Sequence, residues 1–110
     1  MMYVRSLMLV AAIAVLCATT GARAANPDAG KVKSEACAAC HGAGGNSVAP
    51  DFPKLAGQHR DYLAKALRDY KSGQRKNAIM QGFAAALTKD DIENLAAYYA
   101  AQPAVLSVKY

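Results

Sequence analysis

The chain has 110 residues, 13 Lys and Arg against 8 Asp and Glu, a formal charge of +5, and 54% apolar residues. That length allows one small domain. So modest a positive surplus argues against nucleic acid as the main partner, because phosphate binding is driven by several clustered cations.

Residues 1–24 read as a secretory leader. Arg5 supplies a basic start, Leu7 to Ala18 is an apolar run, and Ala22-Arg23-Ala24 is an A-x-A cleavage signal. The run is shorter than the roughly 20 residues a membrane span needs. Cleavage there leaves residues 25–110 as one domain and places the protein in the periplasm. It also removes Cys17, so that Cys37 and Cys40 are the cysteines of the mature chain. Of the apolar fraction, much is alanine and leader, so it does not signal a large core. A chain this short is marginal without a staple.

Asn26-Pro27-Asp28 opens the mature chain as a helix start, with Asn26 as N-cap and Pro27 at the first helical position. The helix is expected to run to about Ala36, with Gly30 tolerated in its interior where another helix crosses closely. Immediately after it stands Cys37-Ala38-Ala39-Cys40-His41, a C-x-x-C-H pentapeptide. This is the attachment pattern of a c-type haem. Each thiol forms a thioether with one haem vinyl, and the adjacent His41 lies beneath the iron as proximal ligand. Two other uses of the thiols have to be weighed. A zinc site needs two further ligands, and only His59 and Met80 are available downstream, in no paired unit. A disulfide-exchange dithiol should open a helix after a strand, and nothing around Cys37 alternates like a strand.

Gly42 to Ser47, with Pro50, Pro53 and Gly57, reads as loop and turns. From His59 to about Tyr70, Leu63, Ala66, Leu67 and Tyr70 form the stripe of an amphipathic helix, which Ser72-Gly73 ends. Gln74 to Leu87 is less regular and is expected to be largely loop, with Met80 alone in it. Thr88 and Asp91 then form a capping box ahead of Ile92, Leu95, Ala96 and Tyr99, a final helix expected to end near Gln102 because Pro103 cannot continue it. The reading is all-α, with three main helices around the haem.

Met80 is a candidate second axial ligand, since a thioether on iron favours the ferrous state and raises the reduction potential. The other use of a lone Met is to fill a gap in the core, and the chemistry favours ligation over it. His59 is the competing candidate, at a helix start among polar residues where an exposed histidine is expected.

Beyond the pentapeptide, Gly45-Asn46-Ser47, Phe52-Pro53-Lys54-Leu55-Ala56-Gly57-Gln58, Tyr62-Leu63, Met80 and Leu95-Ala96-Ala97-Tyr98-Tyr99 together resemble the class I c-type cytochromes, specifically the small bacterial members of the cytochrome c4/c553 type. The resemblance implies the class I cytochrome c fold of three to five short helices wrapped around one covalent haem. It implies that first and last helices cross, with Gly30 close to Tyr98 or Tyr99. It also implies His41 and Met80 as axial ligands to the iron, and the carbonyl of Pro53 as hydrogen-bond acceptor for the distal ring nitrogen of His41. Two departures stand out. Proteins of the c4 type usually carry two haem domains, whereas one C-x-x-C-H is present here. Lys33-Ser34 is polar where family members often place an aromatic.

The expected function is that of a monohaem electron carrier, not an enzyme, serving an oxidase, reductase or dehydrogenase in the periplasm or its membrane. No nucleic acid or small-molecule substrate is expected. Lys33, Lys54 and Lys76 are candidates for steering toward acidic partner surfaces. The alternatives are a gas-binding or sensor cytochrome with a labile sixth site, and a haem subunit confined to one oxidase or dehydrogenase complex.

Overall fold

The computed structural model describes residues 21–105, which form four α-helices and one 3-10 turn. The leader expectation falls almost wholly on residues 1–20, outside the described span. Among the described residues no helix is long and apolar enough to cross a membrane.

Helix α1 spans Pro27–His41. The Asn26 side chain accepts from the backbone N–H of Asp28 at 3.0 Å and of Ala29 at 3.2 Å, satisfying two donors that a helix start leaves orphaned. The Asn26 N–H in turn donates to the Asn94 side chain at 2.7 Å, tying this end to the last helix. The helix does not stop near Ala36. It runs on through the whole Cys37–His41 pentapeptide and ends at Gly42, whose φ of 78° is left-handed. Ala38 and Ala39 are strong helix formers, and nothing in the pentapeptide breaks the helix before that glycine.

A 3-10 turn at Ala43–Gly45 follows, and the Gly45 carbonyl accepts from Leu55 N at 2.8 Å and Ala56 N at 3.2 Å. The intervening loop is thereby closed on itself. It is also stitched to the far end of the chain: Gly57 N donates to the Tyr99 carbonyl at 3.0 Å, while the Asn46 amide donates to the Pro103 carbonyl at 3.0 Å and accepts from Val105 N at 2.8 Å.

Helix α2 covers Arg60–Ser72 and is closed by Gly73 in the left-handed region, φ 81°. Helix α3 covers Ala78–Ala85, within the stretch expected to be largely loop. Asn77 caps its start, accepting from Ile79 N at 3.1 Å and Met80 N at 3.0 Å. At the other end Lys71 Nζ donates to the carbonyls of Ala85 at 3.0 Å and Leu87 at 2.5 Å. Helix α4 spans Lys89–Ala100, and both bonds of the expected capping box are made, Thr88 N to the Asp91 carboxylate at 2.9 Å and Asp91 N to Thr88 Oγ1 at 3.1 Å. It stops two residues short of Gln102, because a residue preceding proline is pushed out of the helical region and Pro103 sets that limit.

Helices α1 and α2 both pack on α4, and α3 packs on α2. The α1–α4 crossing is at Gly30, where an added Cβ would lie 2.1 Å from the Asn94 carbonyl oxygen and 2.8 Å from Tyr98 Cβ. The buried cluster is small: Leu63, Ala64, Ile92, Leu95, Ala96 and Tyr99. At the polar departure in α1, Ser34 is buried and its hydroxyl donates to the Lys31 carbonyl at 2.6 Å.

Candidate haem site

The helices enclose a cleft of about 720 Å³ whose floor is apolar, with Leu63, Leu67, Leu95 and Ala96 among its lining. The candidate residues converge on it. Cys37, Cys40 and His41 line one side from the end of α1, and Met80 lines it from α3. His59 does not reach the cleft; it is exposed at the start of α2, as expected of a surface histidine.

His41 is buried, and its Nδ1 donates to the Pro53 carbonyl at 2.8 Å. That bond fixes the ring and its tautomer and leaves Nε2 without its proton, able to accept a hydrogen bond or bind a metal. The acceptor is available because the loop is folded back by the two bonds to Gly45, and a side chain at Gly45 would stand 2.8 Å from the Tyr99 ring and 2.9 Å from Ala56 N.

Both thiols are free and half-buried. They lie on the last turn of α1, at the negative end of the helix dipole, and burial pushes the Cys37 thiol up. A disulfide-exchange cysteine needs the reverse, a helix N-terminus and a depressed pKa. The zinc reading fares no better: among the described residues no three His, Cys, Asp or Glu side chains group as a metal cage.

Behind the thiols, the Tyr99 hydroxyl is buried beside Cys37 and Ser34 without a well-formed hydrogen bond, and burial pushes its pKa up. Seven large apolar residues are exposed among those described, and four of them, Phe52, Tyr62, Ile79 and Phe83, line this one cleft. A bound apolar disc would cover that surface. An apolar slot, two thiols three residues apart and a locked imidazole all fit haem.

Sequence reading did not single out Arg75. Its guanidinium lines the cleft from the α2–α3 loop, donating through Nη1 to the Tyr62 hydroxyl at 3.2 Å, with Cζ 4.9 Å from the Tyr70 ring centre. The bond to Tyr62 holds its pKa above the usual arginine value. A signal was present in the sequence, because Tyr62 and Tyr70 bracket the apolar stripe of α2 and an arginine follows the helix.

Fold and site thus define a small all-helical protein built to hold a flat apolar group attached through two thiols. A family model described as Cytochrome c matches residues 28–101. Cytochrome c4 of Pseudomonas aeruginosa is 50% identical over 74 residues, which cover 67% of this chain and 37% of that protein. A thiosulfate dehydrogenase electron acceptor of Thiomonas intermedia is 42% identical over 91 residues, 82% of this chain and 42% of that one. Among solved structures, reduced recombinant cytochrome c4 from Pseudomonas stutzeri superposes with a TM-score of 0.72 at 42% identity, covering 76% of this chain and 48% of that chain. The chain belongs to the cytochrome c family, as a class I member of the c4 type. Its cofactor is therefore covalently bound haem c, with iron. It spans about two fifths of the length of these two curated relatives.

Proposed function

We propose that this chain is an exported electron carrier whose residues 25–110 form one monohaem domain, in which Cys37 and Cys40 hold the haem and His41 and Met80 are the axial ligands. The observation that carries the reading is the His41–Pro53 bond within an apolar cleft that also receives both thiols and Met80. Haem c supplies a ferric/ferrous couple that exchanges one electron at a time. The chain's residues hold that couple in place. Pro53 orients the imidazole and raises its basicity. The Asn77 cap fixes the first turn of α3, from which Met80 enters the cleft. The apolar lining keeps water out. The cytochrome c4 relatives support the role of a carrier.

Redox proteins of the periplasm or its membrane are the partners this reading requires. One relative is described as an electron acceptor of thiosulfate dehydrogenase, which supports a dehydrogenase as donor. Electron delivery runs through the exposed rim of the cleft, where Phe52 and Phe83 reach the surface. Of the lysines considered for steering, Lys33 is 3.3 Å from Asp91 and Lys54 donates to the Val105 carbonyl at 2.7 Å, so Lys76, exposed beside Arg75, is the best placed.

Film voltammetry of the matured protein, with its mass measured in parallel, tests the proposal. A mass corresponding to one haem on two thioethers and a reversible one-electron wave are expected. An irreversible wave, or a catalytic current with no added partner, would contradict it.

A further inference from the structure

Among the described residues three cationic side chains line the cleft: Lys33, Lys54 and Arg75. The first two are engaged elsewhere, Lys33 with the Asp91 carboxylate at 3.3 Å and Lys54 with the Val105 carbonyl at 2.7 Å. Arg75 differs from both. It is held by a phenol hydroxyl at 3.2 Å and by the face of a second phenol ring at 4.9 Å, two neutral groups that orient a guanidinium without neutralising it. Its backbone N–H, donating to the Asp69 carbonyl at 3.1 Å, fixes the loop. Among the described residues no carboxylate lies within ion-pairing distance of Arg75: Asp69 is taken by Lys65, and Asp51, the one acidic residue lining the cleft, is not paired with it.

An oriented guanidinium that makes no ion pair among the described residues, with the Asp69 carboxylate near enough to act on it but bonded to Lys65, is arranged at the edge of an apolar cleft to receive an anion. Haem, the group this cleft takes, carries two propionate carboxylates. Arginine presents a rigid fork matched to a carboxylate, and with Nη1 given to Tyr62 its Nη2 and Nε remain to make that contact. We propose that Arg75 is a positioning residue for a haem propionate, with Tyr62 and Tyr70 holding the fork in place. The proposal rests on haem occupying this cleft. It makes Arg75 a determinant of the reduction potential, because a fixed cation favours the ferrous state.

The test uses the matured holoprotein and the variants Arg75→Gln, Arg75→Lys and Tyr62→Phe, with Lys76→Gln as a loss of equal charge one residue away. Midpoint potentials are measured beside redox-induced infrared difference spectra, the propionate bands being assigned with haem labelled by carbon-13 at its carboxyl groups. In Arg75→Gln the propionate band is expected to shift. The preference for the ferrous state should fall three- to tenfold, about 28 to 59 mV at 59 mV per tenfold for one electron. Tyr62→Phe should move the same band in the same direction with the net charge unchanged, Arg75→Lys should recover part of the potential, and Lys76→Gln should leave the band in place. If Arg75→Gln does not mature, Tyr62→Phe and Arg75→Lys carry the test. An unmoved propionate band in Arg75→Gln, or in both of those other variants, would overturn the proposal. Absence of covalent haem from the unaltered protein would instead overturn the reading on which it rests.

Discussion

At His41 one hydrogen bond decides what the imidazole can do. With Nδ1 given to Pro53 at 2.8 Å, only Nε2 is left for the proposed bond to iron, and the ring cannot turn away without breaking that hydrogen bond. Met80 has no comparable anchor on its side chain; its position comes from α3, whose cap bonds its backbone N–H. Met80→Ala should therefore keep the fold and the covalent haem, lower the reduction potential, and open a site for small ligands. An unchanged potential would exclude Met80 as ligand. Tyr99 offers a second test. Its hydroxyl is buried with no well-formed hydrogen bond, so it contributes desolvation cost with little return. Tyr99→Phe is expected to leave thermal stability unchanged or raise it by up to about 1 kcal/mol. A loss greater than that would show the hydroxyl bonded to Ser34 or Cys37.

Among the elements, the α1–α4 crossing is the tightest contact, since a methyl group at Gly30 would overlap the Asn94 backbone. Backbone cannot yield as a long side chain can, so Gly30→Ala should cost about 1 to 3 kcal/mol. For a domain of this size that lowers Tm by at least about 4 °C. The start of α4 predicts a pH dependence. The Thr88 backbone N–H, with smaller help from the Thr88 hydroxyl and Lys33, holds the Asp91 carboxyl below its ordinary value. A depressed carboxylate contributes stability above its unfolded pKa, about 3.9, and loses it as pH falls through the lower folded value. Asp91→Asn should thus be less stable than the unaltered protein at pH 7, and the gap, followed by thermal melts, should close as pH falls below the unfolded carboxylate value. A gap independent of pH would place the effect in packing.

These elements also show what a sequence discloses. Asn26-Pro27, the Thr88–Asp91 box and the α2 stripe were legible because each is a local device whose residues lie within a turn or two of one another. The pentapeptide was legible because its chemistry demands that spacing. Helix α3 was not. It has eight residues with Gly82 inside, and Met80 and Phe83 face the cofactor cleft, so no stripe toward the protein core marks it; the Asn77 cap was its one available signal. The extension of α1 through His41 was likewise hidden, although Gly42 stood where a helix of that length would end. Arg75 was hidden for a different reason: Tyr62, Tyr70 and an arginine after the helix were there to see, but their meeting depends on loop and helix that only the fold brings together.

On the scale of the molecule, the buried cluster among the described residues has four large side chains, Leu63, Ile92, Leu95 and Tyr99, too little to hold a domain of this size alone. The remaining apolar surface lines the cleft, so the cofactor completes the core as well as supplying the chemistry. Structure and function then meet in the proposal that His41 and Met80 would both bind the iron. The visible spectrum of the reduced, matured protein before and after carbon monoxide tests it most directly. With Met80 as the proposed second ligand, a c-type spectrum that carbon monoxide leaves unchanged is expected. A rapid spectral shift would contradict it, and would show an accessible iron suited to gas binding or sensing.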